Sequence, residues 1–164
     1  MNKIVSTLGA LLIGTLAATA PAVSASASAT VTKCSAWKPV GDRYLQSCVD
    51  VTGTQATTYG LVSSTSTGDV PVGVLSHNGA TPVGDTRGTV HVAGNTVRFD
   101  GHTTTATAGQ TIRATLYVPG RIGTGTLAGT DGATYCEPTL TGPAGPDGKR
   151  QCIEQITVWA TVTG

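Results

Sequence analysis

Short stretches of alternating apolar and polar residues run along most of this chain, and they predict β-strands. Gln110–Val118 places Ile, Ala, Leu and Val on one side, with Thr, Arg and Tyr on the other. Ile156–Val162 repeats the pattern, and Val49–Val51, Thr58–Ser63 and Val70–Leu75 add three more strands. Six to eight short strands with frequent turns predict a small antiparallel β-sandwich, immunoglobulin-like in the broad sense, with a small barrel as the less favoured alternative.

The segment Thr89–Asp100 predicts a β-hairpin with a two-residue turn at Gly94 and Asn95. In that register, His91 pairs with Arg98 on one side of the sheet. The opposite side takes four apolar residues that form two facing pairs: Val92 with Val97, and Val90 with Phe99.

The first 29 residues have the layout of a secretory signal peptide. Lys3 precedes an apolar stretch, Ile4–Ala18, and small residues that suit cleavage after Ala27 or Ala29 follow Pro21. We therefore expect residues 1–29 to be removed and residues 30–164 to form one secreted domain outside the cell.

Four cysteines remain in the exported part, and an oxidising environment favours their pairing as disulfides. Of the three possible pairings, the local one joins Cys34 to Cys48 and Cys136 to Cys152. Between the strands, Pro119–Gln151 is rich in Gly and Pro and lacks apolar periodicity, which predicts a long loop.

Charge and motifs exclude several functions. Without Lys3, nine basic residues face nine acidic ones, and no basic patch suited to nucleic acid or a membrane surface is visible. The sequence has no nucleophile elbow and no zincin motif, so we expect neither an enzyme nor a cofactor. Asp85 with Asp100 remains the alternative carboxylate pair of a glycosidase, and the three histidines are expected to face solvent rather than bind metal.

Three side chains are candidates for contact with a partner. Trp159 alternates with threonines and, with Tyr59 and Tyr117, could form the aromatic patch of a carbohydrate-binding module. Lys149 and Arg150 lie in the second cysteine loop, where a basic side chain suits an inhibitor of a secreted protease or other hydrolase.

The chain resembles small secreted proteins of actinobacteria, and among them the strap subunits of umbrella toxin particles. The resemblance rests on the Ala/Ser/Thr-rich signal, the Gly/Thr-rich body and the stretch from Cys34-Ser-Ala-Trp37 to Cys48-Val-Asp-Val-Thr-Gly53. It implies an adaptor that bridges a large toxin subunit to a lectin in a secreted antibacterial assembly. The sequence thus predicts a non-enzymatic protein-binding module, with a hydrolase inhibitor or a carbohydrate-binding module as alternatives.

Overall fold

The structure, a computed structural model, describes residues 28–123, 140–144 and 150–163. These residues form ten β-strands and no α-helix. In chain order the strands are β1 (Thr30–Cys34), β2 (Lys38–Val40), β3 (Arg43–Thr52), β4 (Gln55–Ser64), β5 (Thr67–Asn78), β6 (Thr81–Ala93), β7 (Thr96–Thr105), β8 (Thr111–Gly123), β9 (Thr141–Ala144) and β10 (Arg150–Thr161).

The strands form two antiparallel sheets of five strands each. Sheet A has the order β1-β3-β4-β7, with β2 also paired to β3, and sheet B has the order β6-β5-β8-β10-β9. The apolar clusters between them contain side chains from both sheets, for example Leu45 and Val62 of sheet A with Val72 and Leu116 of sheet B. The prediction of an all-β fold is therefore confirmed, and two facing sheets fit a sandwich.

Alternation identified the buried side of most predicted strands. Ile112, Ala114 and Leu116 of β8 are fully buried, and the apolar side chains predicted for β10 are buried as well. The three shorter predicted strands lie within β3, β4 and β5.

The predicted hairpin at Thr89–Asp100 is wrong in its pairing. The chain does turn at residues 94–95, and Gly94 has a φ of 72°. However, β6 pairs with β5 in sheet B, and β7 pairs with β4 in sheet A. The turn therefore carries the chain from one sheet to the other.

The side chains of that segment still point as predicted. Val90 and Val92 are buried in the core between the sheets, and Val97 and Phe99 pack against the same cluster. They meet across the core rather than along one sheet. His91 consequently lies opposite Asp69 of β5, and Arg98 lies opposite Leu61 of β4.

The predicted loop Pro119–Gln151 is partly strand. β8 continues to Gly123, where it pairs with Cys152 of β10, and β9 and the start of β10 also fall within the range. Backbone pairing with β10 forms these strands without any apolar alternation. Residues 124–139 and 145–149 of the predicted loop lie outside the described residues.

The two sheets approach closely at several glycines. A Cβ atom on Gly60 of β4 would lie 2.4 Å from a methyl carbon of Leu116 in β8. Polar contacts also cross the core: Ser47 donates a hydrogen bond to the Ala114 carbonyl at 2.9 Å, and the Thr58 and Ser76 hydroxyls are 2.7 Å apart. The separation of the sheets is thus set by contacts that tolerate no added atom.

We predict that Gly60→Ala lowers the free energy of unfolding by about 1–3 kcal/mol, since the added methyl group overpacks a fully buried contact. Urea unfolding measures the loss. Gly68→Ala is the matched control, because a Cβ at Gly68 meets no atom within 4 Å. Equal losses in the two variants would contradict the close approach at Gly60.

Candidate functional site

The outward side of sheet A carries a group of exposed and charged side chains. In β3 the apolar residues Val49 and Val51 face the core, so Cys48 and Asp50 face outward. We call this side the outer face of sheet A. The corresponding outward residues of β1, β4 and β7 stand beside them in register.

A disulfide links two strands on this face. Cys34 and Cys48 are directly opposite each other in β1 and β3, with an S–S distance of 2.01 Å. The first predicted pairing is therefore confirmed. The second involves Cys136, which lies outside the described residues, and it stays a prediction. Cys152 is buried in β10.

An ion-pair network occupies the centre of the outer face of sheet A. Arg98 donates to Asp50 at 3.1 Å and to Asp100 at 2.6 Å, and its guanidinium lies 3.6 Å from the centre of the Tyr59 ring. Asp50 also accepts hydrogen bonds from the hydroxyls of Thr32 and Tyr59. Burial, with Asp50 close by, raises the pKa of Tyr59. The Tyr59 hydroxyl donates to Asp50 while its ring lies against the arginine.

Exposed aromatic side chains lie at one end of this face. Tyr44 of β3 is 48% exposed and lies opposite Pro39 of β2, which is also exposed. Trp37 directly precedes β2 and is 42% exposed. Tyr44 was missed by sequence reasoning, although its place beside a proline-containing edge strand was a signal that it could remain uncovered.

Hydroxyl groups cover the opposite end of the same face. The Oγ1 atoms of Thr30 and Thr52 are 2.6 Å apart, and those of Thr57 and Thr103 are 2.9 Å apart. Each pair joins neighbouring strands, so the hydroxyls form cross-strand rows. The described residues at this end of the face are polar, and Asp50 of the ion-pair network lies next to them.

The outward side of sheet B is covered at its central strands, β5, β8 and β10, while the edge strand β6 carries exposed residues such as Arg87 and His91. Leu140 packs on Leu75 and Tyr117, which are both buried. A Cβ on Gly73 would lie 2.2 Å from the Tyr117 ring, and the Tyr117 hydroxyl donates to Asp85 at 2.7 Å. Burial, together with this hydrogen bond to Asp85, raises the pKa of Tyr117 to about 12.

A row of polar and aromatic side chains crosses sheet B near one end of its strands. His77, Arg113 and Trp159 are neighbours in register on β5, β8 and β10. His77 is only 2% exposed, so the expectation that all three histidines face solvent is wrong for His77. Burial, and secondarily the charge of Arg113, lowers the pKa of His77 to about 4.

The predicted aromatic patch does not form. Tyr59 belongs to sheet A, whereas Tyr117 and Trp159 lie in sheet B, and Tyr117 is buried. Trp159 is half-buried in β10. The alternation of Trp159 with threonines did not reveal how much of this side of sheet B is covered.

The basic pair predicted as a contact is only partly described. Lys149 lies outside the described residues, and Arg150 begins β10, where it pairs with Ala144 of β9. Arg150 is therefore part of a strand at the backbone level rather than of an open loop.

Within the described ranges, no group of three or more His, Cys, Asp or Glu side chains is arranged to hold a metal ion. Asp85 and Asp100 belong to different sheets. Each forms an ion pair with an arginine: Asp85 with Arg87, and Asp100 with Arg98.

Comparisons with protein-family models, curated proteins and solved structures give no match to this chain. The part of the chain that the structure describes contains no helix of the length and apolar character needed to cross a membrane. The fold and site define a disulfide-bonded all-β protein, and the intramolecular disulfide is consistent with an oxidising environment.

We predict that the protein loses stability as the pH falls from about 6.5 to about 4. The pKa of His77 is lower in the folded chain than in the unfolded one, so the unfolded state binds the proton first. The contribution of His77 to the free energy of unfolding is fully present above the pKa of the unfolded state. Near pH 4 it has fallen by on the order of 3 kcal/mol. Urea unfolding at several pH values measures it.

His77→Gln should flatten this part of the pH dependence, although the variant itself is less stable at neutral pH. The same substitution at the exposed His91 controls for the removal of an imidazole. A pH profile that is unchanged in His77→Gln would show that His77 does not cause the loss.

Proposed function

We propose that this protein is a secreted, non-enzymatic protein-binding module. Its specific role would be that of an adaptor between components of a secreted antibacterial assembly of the umbrella-toxin type, with a larger toxin subunit and a lectin as partners. The signal-peptide pattern, the disulfide and the resemblance to strap subunits support this proposal.

The observation that carries the proposal is the composition of the outer face of sheet A. Trp37, Tyr44 and Arg98 are all exposed there or at its border, with Arg98 43% exposed. Tryptophan, tyrosine and arginine are the residue types that dominate binding energy at protein interfaces. These three side chains are the strongest candidates for contact with a protein partner.

The face is also rigid before any partner arrives. The Cys34–Cys48 disulfide joins two of its strands, and Arg98 is held by two carboxylates and the Tyr59 ring. Side chains that are already ordered lose little entropy on binding. This preorganisation favours a binding module.

A bridging role needs a second surface. Trp159 lies in sheet B, on the opposite side of the protein from the outer face of sheet A, and it is half-buried. An adaptor could use the aromatics of sheet A for one partner and the region around Trp159 for the other.

Carbohydrate binding is the second candidate function. The threonine rows of β1, β3, β4 and β7 lie on the same face as the exposed aromatics, and sugars are bound by hydroxyl groups together with aromatic rings. A polysaccharide rather than a protein would then occupy the outer face of sheet A.

We expect the tagged protein to leave the culture medium of its native producer in a stoichiometric complex with a larger secreted protein. Replacing both exposed aromatics, Trp37→Ala with Tyr44→Ala, should weaken capture of that protein by roughly a hundred- to a thousandfold, because truncating each such anchor costs about 2 kcal/mol. Quantitative pull-down with the identified partner measures the change.

The matched control is Thr67→Ala with Thr89→Ala, which alters two exposed residues of β5 and β6 in sheet B, away from Trp159. Undiminished capture by the aromatic variant would contradict this site. Retention on insoluble polysaccharide instead of a protein partner would favour carbohydrate binding. Inhibition of a protease that is lost in Lys149→Ala or Arg150→Ala would favour an inhibitor. Turnover of any polymer would overturn the non-enzymatic proposal.

A further inference from the structure

β1 is an edge strand with a regular and exposed backbone. Among the described residues it pairs with β3 alone, through five consecutive residue pairs without a register shift. Thr30, Val31, Thr32 and Lys33 are all exposed. The side of β1 away from β3 therefore presents a row of backbone groups to any strand that approaches.

The other edge strands carry features that discourage such pairing. β2, β6 and β9 each contain a proline, at positions 39, 82 and 143, and proline lacks the backbone N–H that a ladder needs. β7 has a bulge in its pairing with β4 and exposed charges at Arg98 and Asp100. β1 has neither a proline nor a bulge, so it differs from every other described edge.

The side chains of β1 indicate what would pair with it. Val31 lies opposite Val51, a core residue, and so faces the inner side of sheet A, yet it is 57% exposed. Lys33 lies on the same side and is also exposed. An added strand would cover Val31 best with an apolar residue and would meet Lys33 best with a carboxylate.

We propose that β1 accepts an extended segment of a partner protein as an additional antiparallel strand of sheet A. The segment carries an acidic residue opposite Lys33 and, two residues later, an apolar residue opposite Val31. This inference rests on the proposed binding function and deepens it, because it adds the chemistry of the partner.

A second copy of this chain fits the edge less well. Two β1 strands that pair antiparallel around Thr32 would set Val31 beside Lys33 of the other copy. Both Lys33 side chains would also lie on one side of the ladder, at diagonal positions about 7–8 Å apart. The charge of Lys33 thus favours an acidic partner segment over self-association.

The experiment uses the folded protein, with its disulfide intact, and the capped peptide Thr-Glu-Thr-Val-Thr. NMR titration should give saturable shifts at the amides of residues 30–34. Replacing the central threonine of the peptide with proline should abolish them, because the strand loses a backbone donor. Equal shifts with the proline peptide, or none at millimolar peptide, would overturn the inference.

Charge reversal tests the register. Lys33→Glu should weaken binding of the peptide roughly three- to tenfold, and a peptide with lysine in place of glutamate should restore it. Arg121→Glu makes the same charge change at another exposed position and should have no effect. Val31→Thr, which keeps the β-branched shape, should weaken binding without any change of charge.

Two further outcomes are decisive. A dimer that forms through β1 without peptide, seen by sedimentation with protected β1 amides, would replace the partner segment with a second copy and overturn the inference. If capture of the secreted partner depends on Trp37 and Tyr44 but is unaffected by Lys33→Glu, the pairing with β1 is wrong while the proposed binding site stands. If capture does not depend on the two aromatics, the proposed binding site is wrong.

Discussion

The close approach of the two sheets is the constraint on which the rest of this structure depends. The chain has one phenylalanine and few other aromatics, and valine dominates the buried residues. Small side chains fill the space between two sheets only if the sheets come near each other. Gly60 makes room for Leu116, and Gly88 makes room for Phe99, so each large side chain from one sheet occupies a gap in the other.

The same closeness fixes polar groups in the core. The Thr58 hydroxyl bonds to Ser76 of the opposite sheet and also to the backbone of His102, at the bulge of β7. Gly101 in that bulge would clash with Val74 and Thr58 if it carried a Cβ. Sheet separation, the bulge and the path of β7 are therefore coupled, and this path brings Arg98 and Asp100 beside Asp50 on the outer face.

Alternation specified which side of a strand is buried, but it could not specify the neighbouring strand. Val90 and Phe99 were correctly assigned to the core, yet the strands that contain them belong to different sheets. A turn at Gly94 is compatible with a hairpin and with a crossing between sheets. The choice depends on the pairing edges that β4 and β5 offer to β7 and β6, and this competition is invisible in a local pattern.

Alternation also assumes that the side of a strand away from the core faces water. In sheet A this holds for Tyr44 and for most of the threonines. In sheet B it fails, because Tyr117, Thr115 and Thr157 are buried on the outward side. The cover includes Leu140, which comes from a segment whose Gly- and Pro-rich sequence gave no sign of packing on a sheet.

This asymmetry explains why the sequence pointed to Trp159 while the structure points to Trp37 and Tyr44. Trp159 has the more regular strand pattern, but its sheet is covered on both sides near the centre. Trp37 lies between strands, inside the loop that the Cys34–Cys48 disulfide closes, where no alternating pattern indicates which side chains are exposed. Among the described residues, the centre of sheet B is covered, and the outer face of sheet A offers exposed aromatic side chains for recognition. The exposed β1 borders it, so a strand added to β1 would extend the face on which the aromatics and Arg98 lie.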